Sequence, residues 1–194
     1  MDSAACVQKR FTELAALMNA TCKHLGRRIP RAAEVLIRTY RAGGGVFLFG
    51  NGGSAADAQH IAAELVGQFL RRRRALKAEA LSTNTSVLTA VANDYDFEKI
   101  FVRQLEANAR RGDVAFGLST SGNSADVVAA LKYARGRGMK TIALTGQGGG
   151  RCARYAQVLL DVPSRQTPRV QEAGTLVYHL ICELVENAFA GRRR

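Results

Sequence analysis

The chain has 194 residues, of which 28 are Lys or Arg and 16 are Asp or Glu, so its formal net charge is +12. Hydrophobic residues make up 47% and charged residues 23%, a globular composition that excludes a disordered, collagenous or coiled-coil chain and fits one domain. The sequence has no apolar run near the roughly 18 residues of a membrane helix and no signal peptide, so we expect a cytoplasmic protein without membrane contact.

The first forty residues predict two helices. Apolar residues recur at helical spacing from Phe11 to Leu25, and Pro30 fits the first turn of a second helix that carries Leu36 and Tyr40. An amphipathic helix must bury its apolar stripe, and a neighbouring subunit is one candidate. We therefore expect residues 1–42 to form an N-terminal helical arm in an oligomer interface.

From residue 43 onward the pattern changes to short, continuously apolar runs separated by helical stretches. Four of these runs predict strands: Val46–Phe49, Val114–Leu118, Thr141–Leu144 and Val158–Val162. A weaker run at Ala78–Ser82 predicts a fifth strand. The helical stretches are Ala55–Phe69, Phe97–Arg110, Ala125–Arg137 and about Arg169 to Ala190. Continuous apolarity is typical of parallel strands buried on both faces. We predict an α/β fold over residues 43–194, a three-layer sandwich with a mostly parallel sheet.

Two loops follow predicted strands at the edge where open parallel sheets bind ligands. Glycines in Gly50–Ser54 let the backbone approach a ligand, and Ser54 can cap the next helix, although a tight turn also explains this loop. The second loop has four hydroxyls around one glycine at a helix start: Ser119, Thr120, Ser121 and Ser124. Such residues also cap helices, but four within six residues favour a phosphate site.

Candidate reactive groups lie on two predicted helices. His60 and Glu64 are four residues apart and share a helix face, which suits a metal pair, an acid/base pair or an ordinary surface pair. Gln171 and His179 lie on the last helix among apolar residues, where a lone histidine is more often a core residue with its hydrogen bonds satisfied. The spacing alone leaves these alternatives open.

The positive charge first indicates a polyanionic partner. However, seven arginines lie in two runs, Arg71–Arg74 and Arg192–Arg194, and account for more than half of the net charge. Such runs are more often solvated loops or tails, and no aromatic residues are interleaved with them as in single-strand binders. We expect no nucleic-acid partner; sugar phosphates are the competing anions.

The four cysteines lie far apart in the sequence and form no CxxC pair: Cys6, Cys22, Cys152 and Cys182. A chain of this size has no need of disulfides to stabilise its core. We therefore expect reduced thiols.

At its motifs the chain resembles the sugar-isomerase (SIS) domain of the phosphoheptose isomerases. The matching segments follow the family's order: Gly50–Leu65, Ala92–Tyr95, Leu118–Ser124, Val170–Glu172 and Cys182–Glu186. The resemblance implies a flavodoxin-like SIS fold, a homotetramer and one zinc ion per subunit. It also implies conversion of sedoheptulose 7-phosphate to D-glycero-D-manno-heptose 7-phosphate through an enediol, the first step of activated heptose biosynthesis for lipopolysaccharide core or related glycans.

The resemblance also implies roles for individual residues. The family positions that contact the phosphate match Ser119, Thr120, Ser121 and Ser124. Those that contact the rest of the substrate match Asn51, Gly52, Gly53, Ser54, Glu64, Asn93, Asp94 and Gln171. The family's zinc positions match His60, Glu64, Gln171 and His179. Glu64 and His179 also match the acid/base pair, and a carboxylate with an imidazole can move a proton between C1 and C2 of a sugar.

Gln171 and His179 are eight residues apart, about 12 Å along a helix, so it is awkward for both to reach one ion from one chain, and we expect a site shared between subunits.

The alternative function is a non-catalytic SIS protein that binds the bacterial replication initiator, but such proteins lack the Glu and His that this chain has at Glu64 and His179. A sugar-phosphate-sensing regulator would need a DNA-binding domain, for which we expect no room.

Overall fold

The computed structural model describes residues 3–190 and begins with the two expected helices, α1 (Ser3–Leu25) and α2 (Arg28–Arg41). Pro30 lies in the first turn of α2, where its missing N–H costs no hydrogen bond. Apolar residues of α2 are buried in the core, whereas Val7 and Phe11 of α1 are exposed. The second helix is thus part of the main core, while α1 presents apolar side chains on the surface. The Arg192–Arg194 run lies outside the described residues.

A five-stranded sheet forms the middle layer. Its strands are β1 (Val46–Phe49), β2 (Ala78–Ala80), β3 (Val114–Ser119), β4 (Lys140–Thr145) and β5 (Val158–Asp161). All neighbouring strands are parallel, in the order β2-β1-β3-β4-β5. The five predicted strands are confirmed, with small differences at their ends. The chain order reverses between β1 and β3, which makes their carboxyl ends the expected ligand site of an open α/β sheet.

Helices cover both faces of this sheet. The remaining helices are α3 (Gly53–Val66), α4 (Thr85–Asp94), α5 (Ile100–Asn108), α6 (Ala125–Gly136) and α7 (Thr167–Phe189). Side chains of α2, α3 and α7 pack with Val46 and Leu48 on one face, and those of α5 and α6 pack with Phe47 and Phe49 on the other. This alternation explains the continuous apolarity of β1, because both faces of the strand are buried. The predicted three-layer α/β sandwich is confirmed.

Helix α4 was absent from the sequence prediction. None of its residues is fully buried, but Leu88, Val91 and Ala92 recur at helical spacing and pack against the core, a short pattern that the sequence prediction did not use. It begins after Asn84, whose Oδ1 accepts a hydrogen bond from the Val87 N–H at 3.1 Å and caps the helix. The predicted helix Phe97–Arg110 is also interrupted, because it starts as a 3-10 turn at Phe97–Lys99 before α5.

Two further observations concern the cysteines and the hydropathy of the helices. All four cysteines are free thiols. Within residues 3–190, every helix is too short or too polar to cross a membrane.

Candidate functional site

In the loop after β1, glycines let the backbone pass close to the end of β3. A Cβ at Gly50 would lie 2.7 Å from the Leu118 carbonyl oxygen, and Gly52 has a φ of +54°, which favours glycine. The expectation that Ser54 caps α3 is wrong. The helix already begins at Gly53 after an N-terminal turn at Gly52, so Ser54 lies buried inside the first helical turn.

Asn51 in this loop is held by α6. Its Nδ2 donates to both carboxylate oxygens of Asp126, at 3.0 and 2.8 Å. Burial raises the pKa of Asp126, and the hydrogen bond from Asn51 opposes that shift. The sequence prediction missed Asp126, because an acidic residue in the first turn of a helix is ordinary. The contact fixes the amide of a predicted sugar-binding residue at the switch point of the sheet.

The loop after β3 forms a tight turn lined with hydroxyls. Gly122 has a φ of +67°, and its N–H donates to the Ser119 carbonyl oxygen at 2.9 Å. Ser124 precedes α6 without a side-chain capping bond, and its Oγ lies 3.0 Å from the Ser119 Oγ. Its hydroxyl is therefore directed toward Ser119 rather than toward the α6 backbone. Thr120 Oγ1 lies 3.4 Å from Thr167 Oγ1 at the start of α7.

Gln171 connects α7 with the loop after β1. A Cβ at Gly53 would lie only 2.1 Å from the Gln171 Nε2, so the missing side chain leaves space for this amide. Two other predicted contacts, Asn93 and Asp94, lie exposed at the end of α4, where the Asn93 Nδ2 donates to the Asp94 Oδ1 at 2.8 Å. The structure thus places Gln171 at the first loop and the Asn-Asp pair at the exposed end of α4.

Three of the four predicted zinc positions come together where α3 and α7 pack. One ligand atom from each of His60, Glu64 and His179 lies within 4.8 Å of the others. The His60 Nε2 is 3.2 Å from the Glu64 Oε1, and the two imidazole rings are 5.0 Å apart. One chain supplies all three groups, so their convergence requires no second subunit.

His179 is not a core histidine with satisfied hydrogen bonds. Its Nε2 is buried, and no partner for it occurs among the described residues. Burial lowers the pKa of His179, and nearby His60 lowers it further, while Glu64 opposes the shift. The neutral imidazole is therefore favoured, with a nitrogen lone pair available to bind a proton or a metal ion.

The donor set of this cluster fits zinc. Two imidazole nitrogens and one carboxylate oxygen are ligands that zinc commonly uses, and catalytic zinc sites often have three protein ligands and an open position. The buried, unpartnered Nε2 of His179 is an atom that a bound cation would satisfy. The residues present are thus chemically suited to a zinc ion.

A buried carboxylate fixes the segment that follows α3. Glu186 of α7 accepts hydrogen bonds from the N–H groups of Phe69, Leu70 and Arg71 at 2.8, 2.6 and 2.8 Å. Burial raises the pKa of Glu186, but these three donors outweigh that effect and lower the pKa below its ordinary value. The Phe69 ring then lies 5.2 Å from the His179 ring. Glu186 thus places an aromatic side chain against the cluster.

The expectation that Arg71–Arg74 is a solvated run is wrong for Arg73. Its side chain is 1% exposed and donates to the Glu64 carbonyl oxygen at 2.5 Å and to the Gly67 carbonyl oxygen at 2.9 Å. These are carbonyls at the C-terminal end of α3, which lack helical partners. Nothing in the local sequence separates Arg73 from its neighbours, because its partners are set by tertiary packing.

Comparisons with known proteins agree with this architecture. A family model described as SIS domain matches residues 11–146. A phosphoheptose isomerase from Aquifex aeolicus is 50% identical over 186 residues, covering 96% of this chain and 97% of that one. One from Rhodospirillum rubrum is 54% identical over 160 residues, covering 82% and 85%. The solved structure of phosphoheptose isomerase from Neisseria gonorrhoeae has a TM-score of 0.90 and 42% identity, over 95% of this chain and 98% of that one.

The family model ends before α7, but the matches to the Aquifex aeolicus protein and to the Neisseria gonorrhoeae structure cover 96% and 95% of this chain and so include both α3 and α7, which carry the cluster. They confirm the enzyme interpretation over the non-catalytic alternative, since the relatives are named as isomerases. The chain therefore belongs to the SIS-domain family, among its phosphoheptose isomerases, and is an isomerase.

Proposed function

We propose that this enzyme converts sedoheptulose 7-phosphate to D-glycero-D-manno-heptose 7-phosphate, the first step of activated heptose biosynthesis. The observation that carries the proposal is the convergence of His60, Glu64 and His179 in a chain about 50% identical to proteins named phosphoheptose isomerase. An aldose and a ketose interconvert when a proton moves between C1 and C2 through an enediol. This step needs one group that accepts the proton and another that serves the oxygens.

Glu64 and His179 can perform these two roles. The Glu64 carboxylate can accept a proton, and the lowered pKa of His179, caused chiefly by burial, favours the neutral imidazole, which can exchange one. His60, Glu64 and His179, with Gln171 as the further ligand implied by the family, would hold a zinc ion that polarises the substrate carbonyl.

The substrate phosphate is proposed to bind in the loop after β3. Hydroxyls of Ser119, Thr120, Ser121 and Ser124 and the free N–H groups at the start of α6 supply donors without any formal charge. The net charge of +12 attracts an anionic sugar phosphate at longer range. Asn51, whose amide is held by Asp126, is proposed to contact the sugar.

We also propose a homotetramer with its sites at subunit interfaces. Leu176, Leu180 and Leu184 form an exposed apolar stripe along α7, with successive side chains one helical turn apart. His179 lies within this stretch, so a subunit packed on the stripe would border the reaction centre. An exposed apolar stripe of this kind is typical of an interaction surface.

Light scattering of the purified protein is expected to give four times the chain mass of 20.9 kDa, and Leu180→Glu is expected to reduce that mass.

The activity is tested by incubating purified protein with sedoheptulose 7-phosphate and measuring the aldose product, with and without a chelator. Glu64→Gln is expected to lower kcat by about 100-fold to 10,000-fold, the usual range for a proton-transfer group. Glu106→Gln is the matched control, because Glu106 lies on α5 with a surface ion pair to Arg103. Absence of product under every condition would contradict the proposed substrate. Activity that survives complete removal of metal would contradict the zinc proposal alone.

A further inference from the structure

Behind the cluster, a chain of hydrogen bonds runs from Asp57 through Tyr178 to His60. The Tyr178 hydroxyl is 3.3 Å from the Asp57 Oδ1 and 3.0 Å from the His60 Nδ1. Tyr178 is 1% exposed, so bulk water does not compete for its hydroxyl. The other ring nitrogen of His60, Nε2, faces the Glu64 Oε1 at 3.2 Å. Each nitrogen of this imidazole therefore has a different neighbour.

The chemistry of these groups sets the direction of the chain. An ionised carboxylate can only accept hydrogen bonds, and a phenol has a single proton to donate. The Tyr178 proton therefore goes to Asp57, and the phenol oxygen can only accept from His60. This requires the proton of the neutral His60 imidazole to be on Nδ1.

A proton on Nδ1 leaves Nε2 with a lone pair directed at Glu64. The carboxylate is also an acceptor, and the buried Nε2 of His179 has no partner among the described residues. Two acceptors, the His60 Nε2 and the Glu64 Oε1, then face each other at 3.2 Å beside the imidazole of His179, an arrangement that is unfavourable until a cation or a proton joins them. The hydrogen bonds behind His60 thus prepare the front of the cluster for a cation.

We propose that Asp57 and Tyr178 are positioning residues that hold His60 with its proton on Nδ1 and its Nε2 free to bind the metal ion. The proposal rests on the zinc site put forward above, because the two residues act only through His60. Outer partners of this kind orient metal-binding histidines, and their loss commonly weakens metal affinity by about 10-fold to 100-fold. Both residues lie on the helices that carry the ligands, Asp57 one turn before His60 and Tyr178 beside His179.

The first test reads the tautomer of His60 directly in the metal-free protein. The chain has only three histidines, so ¹⁵N NMR of histidine-labelled full-length protein is tractable, and His60→Gln identifies the His60 signals. The expected spectrum has the His60 proton on Nδ1, and Tyr178→Phe is expected to abolish this preference. Asp57→Ala is expected to weaken it, and Asp57→Asn, which keeps an acceptor oxygen, is expected to restore part of it. A proton on Nε2 in the unmodified protein, or an unchanged tautomer in Tyr178→Phe, would overturn the proposal.

The second test measures zinc affinity by competition with a chromophoric chelator. Tyr178→Phe is expected to bind zinc about 10-fold to 100-fold more weakly than the unmodified protein. The matched control is Tyr40→Phe, because Tyr40 is also buried but its hydroxyl has no partner among the described residues. Equal affinity in Tyr178→Phe and Tyr40→Phe would refute the positioning role. If the unmodified protein binds no zinc, the metal proposal fails, and the NMR experiment still decides whether Asp57 and Tyr178 fix His60.

Discussion

The hydroxyl loop after β3 and the His60–Glu64–His179 cluster differ in how the chain builds them. The loop is a single run of six residues whose donors are fixed by a local turn and by the start of α6. The cluster needs two helices whose contributing residues are more than one hundred positions apart. Local sequence can therefore specify the proposed phosphate loop almost completely, whereas the proposed reaction centre depends on tertiary packing.

Because the cluster and the loop are built differently, mutations in them are expected to reduce activity by different amounts. Removing one member of the cluster removes a group that no neighbour can replace. Removing one hydroxyl from the loop leaves other donors in place, so the expected loss is small.

The largest effect is expected for His179→Gln. The variant keeps a polar side chain but loses the imidazole, so kcat is expected to fall by at least about 100-fold. His24→Gln is the control, because His24 lies on α1 beside Asp161, outside the cluster. Steady-state kinetics check the result. Comparable kcat values for the two variants would mean that His179 takes no part in the reaction.

Glu186→Gln is expected to affect stability as well as activity. A carboxamide cannot satisfy three backbone donors as a carboxylate does, so unfolding free energy is expected to fall by about 1 to 3 kcal/mol. Loosening of Phe69 beside His179 is expected to lower kcat as well. Urea unfolding measures the stability, with Glu34→Gln on the α2 surface as the control.

The stability effect of Glu186 depends on pH in a defined direction. Burial raises the pKa of this carboxyl, but the backbone donors lower it below the ordinary value of 4.5 in the folded chain. Ionised Glu186 therefore stabilises the fold above about pH 4.5, and the stabilisation is lost as the pH falls through the lower folded-state pKa. The difference between the unmodified protein and Glu186→Gln should shrink on acidification. A constant difference from pH 7 to pH 3 would contradict this explanation.

A smaller effect is expected for Gly53→Ala. The added Cβ would displace the Gln171 amide, whose Nε2 lies 2.1 Å from that position, while the helix start itself can accept alanine. KM for the sugar phosphate is expected to rise by roughly 10-fold, as for the loss of one good hydrogen bond, with little change in stability. Gly136→Ala is the matched control, because a Cβ there meets no atom within 4 Å. An unchanged KM would show that Gln171 does not contact the substrate.

The smallest effect is expected for Ser124→Ala in the hydroxyl loop. One neutral donor among several contributes about 0.5 to 1.5 kcal/mol, so KM should rise by about 2-fold to 10-fold at nearly constant kcat. Ser86→Ala on the exposed surface of α4 serves as the control. A loss of kcat as large as that of His179→Gln would abolish the contrast between the two regions.

The parts of the molecule that sequence could predict are those with local signals. Apolar runs placed β1, β3, β4 and β5, and the strand-to-helix loops were placed from their glycines and hydroxyls. Helix α4 had only a short signal, Leu88, Val91 and Ala92, whose side chains are no more than partly buried. The pairing of Glu64 with His179 came from family resemblance, because spacing on one helix says nothing about a partner on another. Arg73 and Glu186 were missed for the same reason.

The central claim is that one chain supplies the whole cluster at the packing of α3 against α7. The most direct measurement uses oligomers assembled from Glu64→Gln chains and His179→Gln chains carrying different tags. Oligomers of unmodified and doubly substituted chains, prepared in the same way, give the activity expected when exchange occurs. Because Glu64 and His179 meet within one chain, every site in the mixed oligomer lacks one of them, and no activity should return. Recovery of activity would show that a site takes Glu64 from one subunit and His179 from another, which would contradict the account.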